Sequence, residues 1–359
     1  MKQKIASEEV VHVLNNWYSA IMKREINVAI ALKSEIDRML PDMEDNESVV
    51  LYCQMLRLKY SLLLQKPEDT SDFYNNQSGT EVDGMLSYYY YFFKGIYEAY
   101  KSNNSAAIDL FKAAESKLNI INDELAVAEF HYSIGTTYYH MKSTILSENH
   151  LNRALRIYDK HSDYSRRQLT CGITLALNYI DQSRFKKAEE VLLKCAKTAQ
   201  SLEDRILFGI SVFNLGYSRL KQGDISEAVL YIEQSLAINE LQENAPFAYL
   251  HGVYEAVRSY FKLENFNRAL EWLQIGFTKA AEANQNNFLL KFKTLHSLYV
   301  LEDNKKVTEC VELLKKKESY VDLEVLALEI AQYYNKKNEY EKSVKYYELS
   351  IDATRHILK

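Results

Sequence analysis

The sequence predicts an all-α protein: an N-terminal three-helix bundle followed by a superhelix of stacked helical hairpins. Three observations carry this. The 359 residues include only 10 Gly and 3 Pro, where average usage would give about 25 and 18. Sandwiches and barrels need many tight turns built from those residues, so the shortage argues against an all-β fold. Apolar residues recur at three- and four-residue steps near the start of the chain. From residue 85 onward, a pattern of small, small, large and small side chains returns about every 40 residues.

The first helix follows from Val10, Val13, Leu14, Trp17 and Ile21, and the second from Val28, Ile30, Ala31, Ile36, Met39 and Leu40. Pro41 interrupts, and a third run extends from Val49 to Leu64. Residues 1–65 are therefore expected to form the bundle. Residues 66–84, KPEDTSDFYNNQSGTEVDG, are the least apolar stretch, with Pro67, Gly79 and Gly84. They read as a linker.

Residues 85–359 repeat. Gly95 is followed by Ala107, Phe111 and Ala114; Gly135 by Ser147, Leu151 and Ala154; Ala176 by Ala188, Leu192 and Cys195. Gly216, Val257 and Ala331 open three further copies, and a degraded one lies near Leu298, with Cys310 and Leu314 in register. Small residues on both helices of a hairpin let the two approach closely, and the large one fills the groove beside them. One hairpin cannot bury its own apolar face, so neighbours stack. The pattern resembles the tetratricopeptide repeat with a longer period, which implies longer helices.

Composition narrows the function. Hydrophobic residues at 47% and charged residues at 26% suit a folded soluble chain. A net charge of −5 argues against a nucleic-acid binder. No GxxxxGK[ST] or GxGxxG offers a phosphate cradle. Cys53, Cys171, Cys195 and Cys310 form no CxxC pair and read as buried reduced thiols. The eight His form no HExxH and no GxSxG occurs, so neither a metal nor a cofactor is expected. MKQKIASEEVVHVL lacks a signal-peptide core, and no 18-residue apolar run exists. A cytoplasmic protein without a membrane partner is expected.

The position two before each small landmark reads Ser133, Thr174, Asn214, Glu255, His296 and Glu329, polar in six successive repeats. Thr137, Asn178, Ser218 and Ser259 lie four residues further on, on the same helix face, and Asp181 shares it. Side chains that both donate and accept suit the unpaired N–H and C=O groups of an extended peptide, so the column suggests a peptide-binding groove. Between the second and third helices, PDMEDNES (41–48) carries Asp42, Glu44, Asp45 and Glu47. Such acids suit the N-terminus of the third helix by capping and dipole. The same loop could also dock a basic partner surface.

These parts together resemble the Rap proteins of bacilli, the response-regulator aspartate phosphatases and their non-enzymatic relatives. The likeness runs through NNWYSAI (15–21), MEDNESVVLYCQ (43–54), YYYYFFKGIYE (88–98), AEFHYSIGTTYYHMK (128–142) and DLEVLALEIAQYYNKKNEYEKSVKYYE (322–348). The resemblance implies a bundle that binds a response regulator's receiver or DNA-binding domain, here through Glu44, Asp45 and Glu47. It also implies a repeat groove that takes a short secreted and re-imported peptide, which releases the regulator. Family phosphatases place a Gln at the start of the third bundle helix; the matching residue here is Glu47. A carboxylate there is repelled by a phosphoryl group, by about 1 kcal/mol per charge pair at 4 Å even in water. Gln54 would lie about 10 Å further along the helix. The family's peptide-clamping residues match Asn178, Asp181 and Asn214, and an acidic partner is replaced by Lys291. The resulting expectation is a peptide-responsive regulator antagonist with peptide contacts at Asn178, Asp181, Asn214, Glu255 and Lys291. Two alternatives stay open: an active phosphoaspartate phosphatase, and a peptide-sensing transcription factor with a similar array.

Overall fold

A computed structural model describes residues 4–64 and 84–358. Among them are eighteen α-helices, three short 3-10 turns and one isolated parallel bridge, Ile5 with Met43. Of the expected linker, all but Gly84 lies outside the described residues. The chain divides into two compact units, Met1–Asn178 and Tyr179–Lys359, so the bundle and the first hairpins belong to one unit.

In the first unit the bundle is α1 (Ser7–Lys23), α2 (Ile26–Met39) and α3 (Glu47–Leu63). α1 buries the expected stripe: Val10, Leu14, Trp17 and Ile21 are almost fully buried. α2 departs from expectation. Val28 and Ile30 are exposed, and only Ala29 and Ile36 are buried. Those two stand seven residues apart, two turns of one narrow stripe, while the longer run of apolar residues winds around the helix. Hairpins then follow as α4 (Gly84–Tyr100) with α5 (Asn104–Glu115), and α6 (Glu124–His140) with α7 (Thr144–Tyr158). A 3-10 turn, Ser162–Tyr164, leads into α8 (Ser165–Asp181), within which the division between units falls.

The second unit continues with α9 (Phe185–Ser201), α10 (Arg205–Gln222), α11 (Ile225–Leu236), a short α12 (Asn239–Asn244), α13 (Pro246–Lys262) and α14 (Phe266–Glu282). It ends with α15 (Asn286–Tyr299), α16 (Asn304–Lys316), α17 (Tyr320–Lys336) and α18 (Tyr340–Ile357). The degraded copy is a complete hairpin, α15 with α16, and Leu298, Cys310 and Leu314 are buried in it. Pro246 opens α13 at its first turn, where a missing N–H costs nothing. The short α12 is not visible in the repeat pattern; its Leu241 is buried, with Ile238 just before it packed against Gly209 of α10.

The small landmarks sit where helices touch. A Cβ on Gly95 would lie 2.8 Å from the Phe111 ring, and one on Gly135 would lie 3.0 Å from Leu151. At Gly216 it would meet the Ala228 carbonyl at 2.9 Å and Ile232 at 3.0 Å. These are the partners the repeat pattern pairs with each landmark. The turns use other residues: Ser102, Lys142, Ser183, Glu203, Glu264 and Asn338 all take positive φ. Most glycines are thus spent on contacts, while Gly223 and a series of ordinary side chains bear the left-handed turns.

Candidate functional site

The acidic loop is built by short-range geometry. The Ile5 N–H donates to the Asp42 carbonyl at 2.8 Å, and the Glu44 N–H to the Ile5 carbonyl at 3.0 Å. This seats Glu44 beside the start of α1. Its Oε1 accepts from the Ser7 N–H at 3.0 Å and from the Ser7 hydroxyl at 2.8 Å. Those two bonds hold the Glu44 carboxyl below its ordinary range. Asp45 meets Lys4 at 3.3 Å on the surface. The cap of α3 is Asn46, whose side chain accepts from the Val49 N–H at 3.2 Å. The acids therefore do not share one task. Glu44 serves α1, and of the carboxylates only Glu47 falls in the first turn of α3. Glu47 is exposed, and its side chain makes no hydrogen bond or ion pair with the described residues.

The groove residues divide by burial. In the first unit, Asn178 is fully buried. Its Nδ2 donates to the Ser147 hydroxyl at 2.9 Å and to the Thr174 carbonyl at 3.0 Å. Its Oδ1 has no hydrogen-bond partner, an omission that costs about 1–3 kcal/mol in a buried site. In the second unit, Asp181 is exposed. Asn214 is buried and returns its Nδ2 to the Ile210 carbonyl at 2.9 Å. Tyr217, on the same helix as Asn214, has its phenol pushed up by burial and by the charges of Glu255 and Asp181. The fields of those two column carboxylates thus meet at one ring.

Glu255 and Lys291 are engaged within the second unit. Arg258 donates to both Glu255 oxygens at 2.8 Å, and its other nitrogens reach Glu329 of α17 at 2.7 and 3.0 Å. Glu329 also takes Lys262 at 3.1 Å and the Tyr299 hydroxyl at 2.6 Å. Burial would raise the Glu329 carboxyl, but Arg258, Lys262 and the Tyr299 bond bring it down to about 2. Lys291 bonds Asp322 at 3.0 Å and stands over the Tyr254 and Phe288 rings at 4.2 and 4.4 Å. The expected polar column is present, but much of it is internal and ties α13, α15 and α17 together.

A second charge cluster, in the first unit, was missed by sequence reasoning. Lys59 of α3 and Arg167 of α8 both bind Glu129 Oε1 of α6, at 2.8 and 3.1 Å. The Tyr158 hydroxyl donates to Oε2 at 3.0 Å, and Arg167 Nε donates to the Met22 carbonyl of α1 at 2.8 Å. All three charges are buried. Two cations share one carboxylate, so Glu129 is held low by Arg167 and Lys59 against its own desolvation, while burial and the Arg167 charge push Lys59 down to about 8. A charged residue inside an apolar stripe is the available signal, and Glu129 in AEFHYSIG has that form.

Among the described residues no group of His, Cys, Asp and Glu is arranged to hold a metal ion, and no helix is long and apolar enough to cross a membrane. The four cysteines are buried. A helical bundle joined to stacked hairpins, with polar residues along the first helices, defines a repeat protein of the tetratricopeptide class. The model of that repeat matches residues 211–240 and 326–356. Residues 4–65 match the model described as response regulator aspartate phosphatase H, N terminal. Regulatory protein RapD of Bacillus subtilis (strain 168) is 35% identical over 347 residues, covering 96% of this chain and 98% of the relative. Response regulator aspartate phosphatase J of the same organism is 34% identical, covering 97% and 96%. A Rap protein solved in complex with Competence and Sporulation Factor superposes with a TM-score of 0.87 at 33% identity, covering 98% of this chain and 99% of that one. The chain belongs to the Rap family.

Proposed function

We propose that this protein is a peptide-responsive antagonist of a bacterial response regulator. The regulator docks on the bundle at Asp45 and Glu47, with Glu44 fixing the path of the loop through its bonds to Ser7. A short signalling peptide binds the repeats and releases it. The observation that carries this reading is the likeness, over nearly the whole chain, to a Rap protein solved with Competence and Sporulation Factor. Asn178, Asp181 and Asn214 are the proposed peptide contacts. The exposed Asp181 suits an Arg or Lys of the peptide. Glu255 and Lys291 are further proposed contacts by their place in the repeats, although their charges are neutralised inside the fold.

Antagonism proceeds by sequestration. Hydrolysis of an aspartyl phosphate needs a positioned water more than a base, and the Glu47 carboxylate brings repulsion where an amide would bring none. The test is a panel of phosphorylated receiver proteins mixed with the full chain. The expected result is stable binding with unchanged dephosphorylation. Rapid loss of phosphate with the wild type, abolished by Glu47→Ala, refutes sequestration. It would establish the second reading, an active phosphoaspartate phosphatase, which the likeness to response regulator aspartate phosphatase J favours.

A further inference from the structure

The first unit contains a cavity of about 590 Å³ lying between α1, α3, α4 and the start of α6. It adjoins the acidic loop, whose Ser48 lines it, and includes none of the peptide contacts named above. Its volume is in the range of sites for small organic molecules. Four tyrosines line it, Tyr18, Tyr52, Tyr89 and Tyr164, and all four are buried. Tyr18 lines it as well, although its hydroxyl is closed off from the space.

Charge fixes the ligand class. Among the described lining residues Asp123 is the one ionisable residue other than tyrosine, and none of them is Lys, Arg or His. Asp123 is exposed, so its carboxylate stands at the mouth, and its Oδ1 caps α6 by accepting from the Leu125 N–H at 2.9 Å. Two cations that stand by lining tyrosines face other groups. Lys23 is 5.4 Å from the Tyr164 ring but paired with Asp163 at 2.7 Å, and Lys59 is 5.3 Å from the Tyr18 ring but paired with Glu129. α3 already has its cap in Asn46, as α6 does in Asp123, so these helix ends do not call for an anion. Aromatic walls with a carboxylate at the rim attract an organic cation. We propose that this cavity binds a small amphipathic amine, with its body between the tyrosines and its ammonium at Asp123.

The probes are tyramine, its neutral counterpart tyrosol and the anion para-hydroxyphenylacetate, which share one ring and one hydroxyl. Each is titrated into the full chain by calorimetry and by ligand-detected magnetic resonance. Tyramine binds tightest and the anion weakest. Asp123→Asn retains a capping side chain and brings tyramine down by about fivefold, the size of a rim ion pair, leaving tyrosol unchanged. Val11→Trp, a substitution at another lining residue, fills the space and abolishes binding of all three. Circular dichroism and thermal unfolding confirm that each variant is folded, and if Val11→Trp does not fold, Asp123→Asn decides. No tyramine binding, equal affinity for amine and anion, an unchanged tyramine affinity in Asp123→Asn, or binding that survives in folded Val11→Trp overturns the proposal.

Discussion

Lys59 should make the first unit more stable as the pH rises. Its folded-state pKa is lowered to about 8 from 10.5, chiefly by burial. Below pH 8 both states carry the proton, and folding bears the whole cost of burying the surplus cation. Between 8 and 10.5 the native state releases that proton while the unfolded chain keeps it. The unfolded state then binds more protons, so stability rises with pH across this window. The gap corresponds to about 3 kcal/mol in full, and to about 2 kcal/mol by pH 9.5. Lys59→Met removes the titration and leaves Glu129 with Arg167, so it should be no less stable than wild type at pH 7. The assay is urea unfolding followed by Trp17 fluorescence in a Trp272→Phe background, with and without Lys59→Met, from pH 7 to 9.5. Taking the difference between the two proteins cancels the tyrosines, which begin to ionise in the unfolded chain near pH 10. A difference that stays flat within about 0.5 kcal/mol across this range refutes the account of a surplus buried cation.

Glu129→Gln should cost about 3–5 kcal/mol at neutral pH in the same assay, because it leaves two cations buried without their carboxylate. In the second unit, Glu329→Gln should cost a similar amount, read from Trp272 fluorescence, since Arg258 and Lys262 both depend on that carboxylate. Asn214→Ala should weaken the cognate peptide about tenfold or more by calorimetry while regulator binding survives; undiminished affinity removes Asn214 from the peptide site. Gly95→Ala should destabilise the first unit by about 1–3 kcal/mol in thermal melts, because its methyl would overlap the Phe111 ring. Ser102→Gly and Glu203→Gly should each stabilise by roughly 1 kcal/mol, by removing a side chain from a left-handed turn.

The hairpins were legible because their contacts are periodic. Gly95 with Phe111 and Gly135 with Leu151 stand sixteen residues apart in both copies, and the same sterics recreate the spacing each time. The degraded copy near Leu298 was legible for the same reason. Aperiodic features were not. α12 interrupts one repeat only, and the burial of α2 turns on two residues that a longer apolar run obscured. The acidic loop was half legible: its capping chemistry was visible, but not that Glu44 would cap the helix 37 residues earlier. The charge clusters were the least visible. Glu129 meets Lys59 across 70 positions and Arg167 across 38, and Arg258 meets Glu329 across 71. No local rule links residues at those distances. Glu255 and Glu329 were found as members of a polar column, yet their partner in the fold is an arginine the column did not include.

The thin attachment of α2 has a dynamic consequence. α1 has eight buried residues and α3 nine, whereas α2 has Ala29 and Ile36 alone. Asp37 adds ion pairs to Lys33 and Arg57, but all three side chains are about one-third exposed, and such pairs hold little. Local opening of so lightly docked a helix costs far less than unfolding the unit around it. Amide hydrogen exchange should therefore proceed through α2 well before α1 or α3, and a protease should nick first at Lys33 or Arg38. The bundle then works as a fixed pair with a detachable third member. Lifting α2 away would change the surface that the bundle presents.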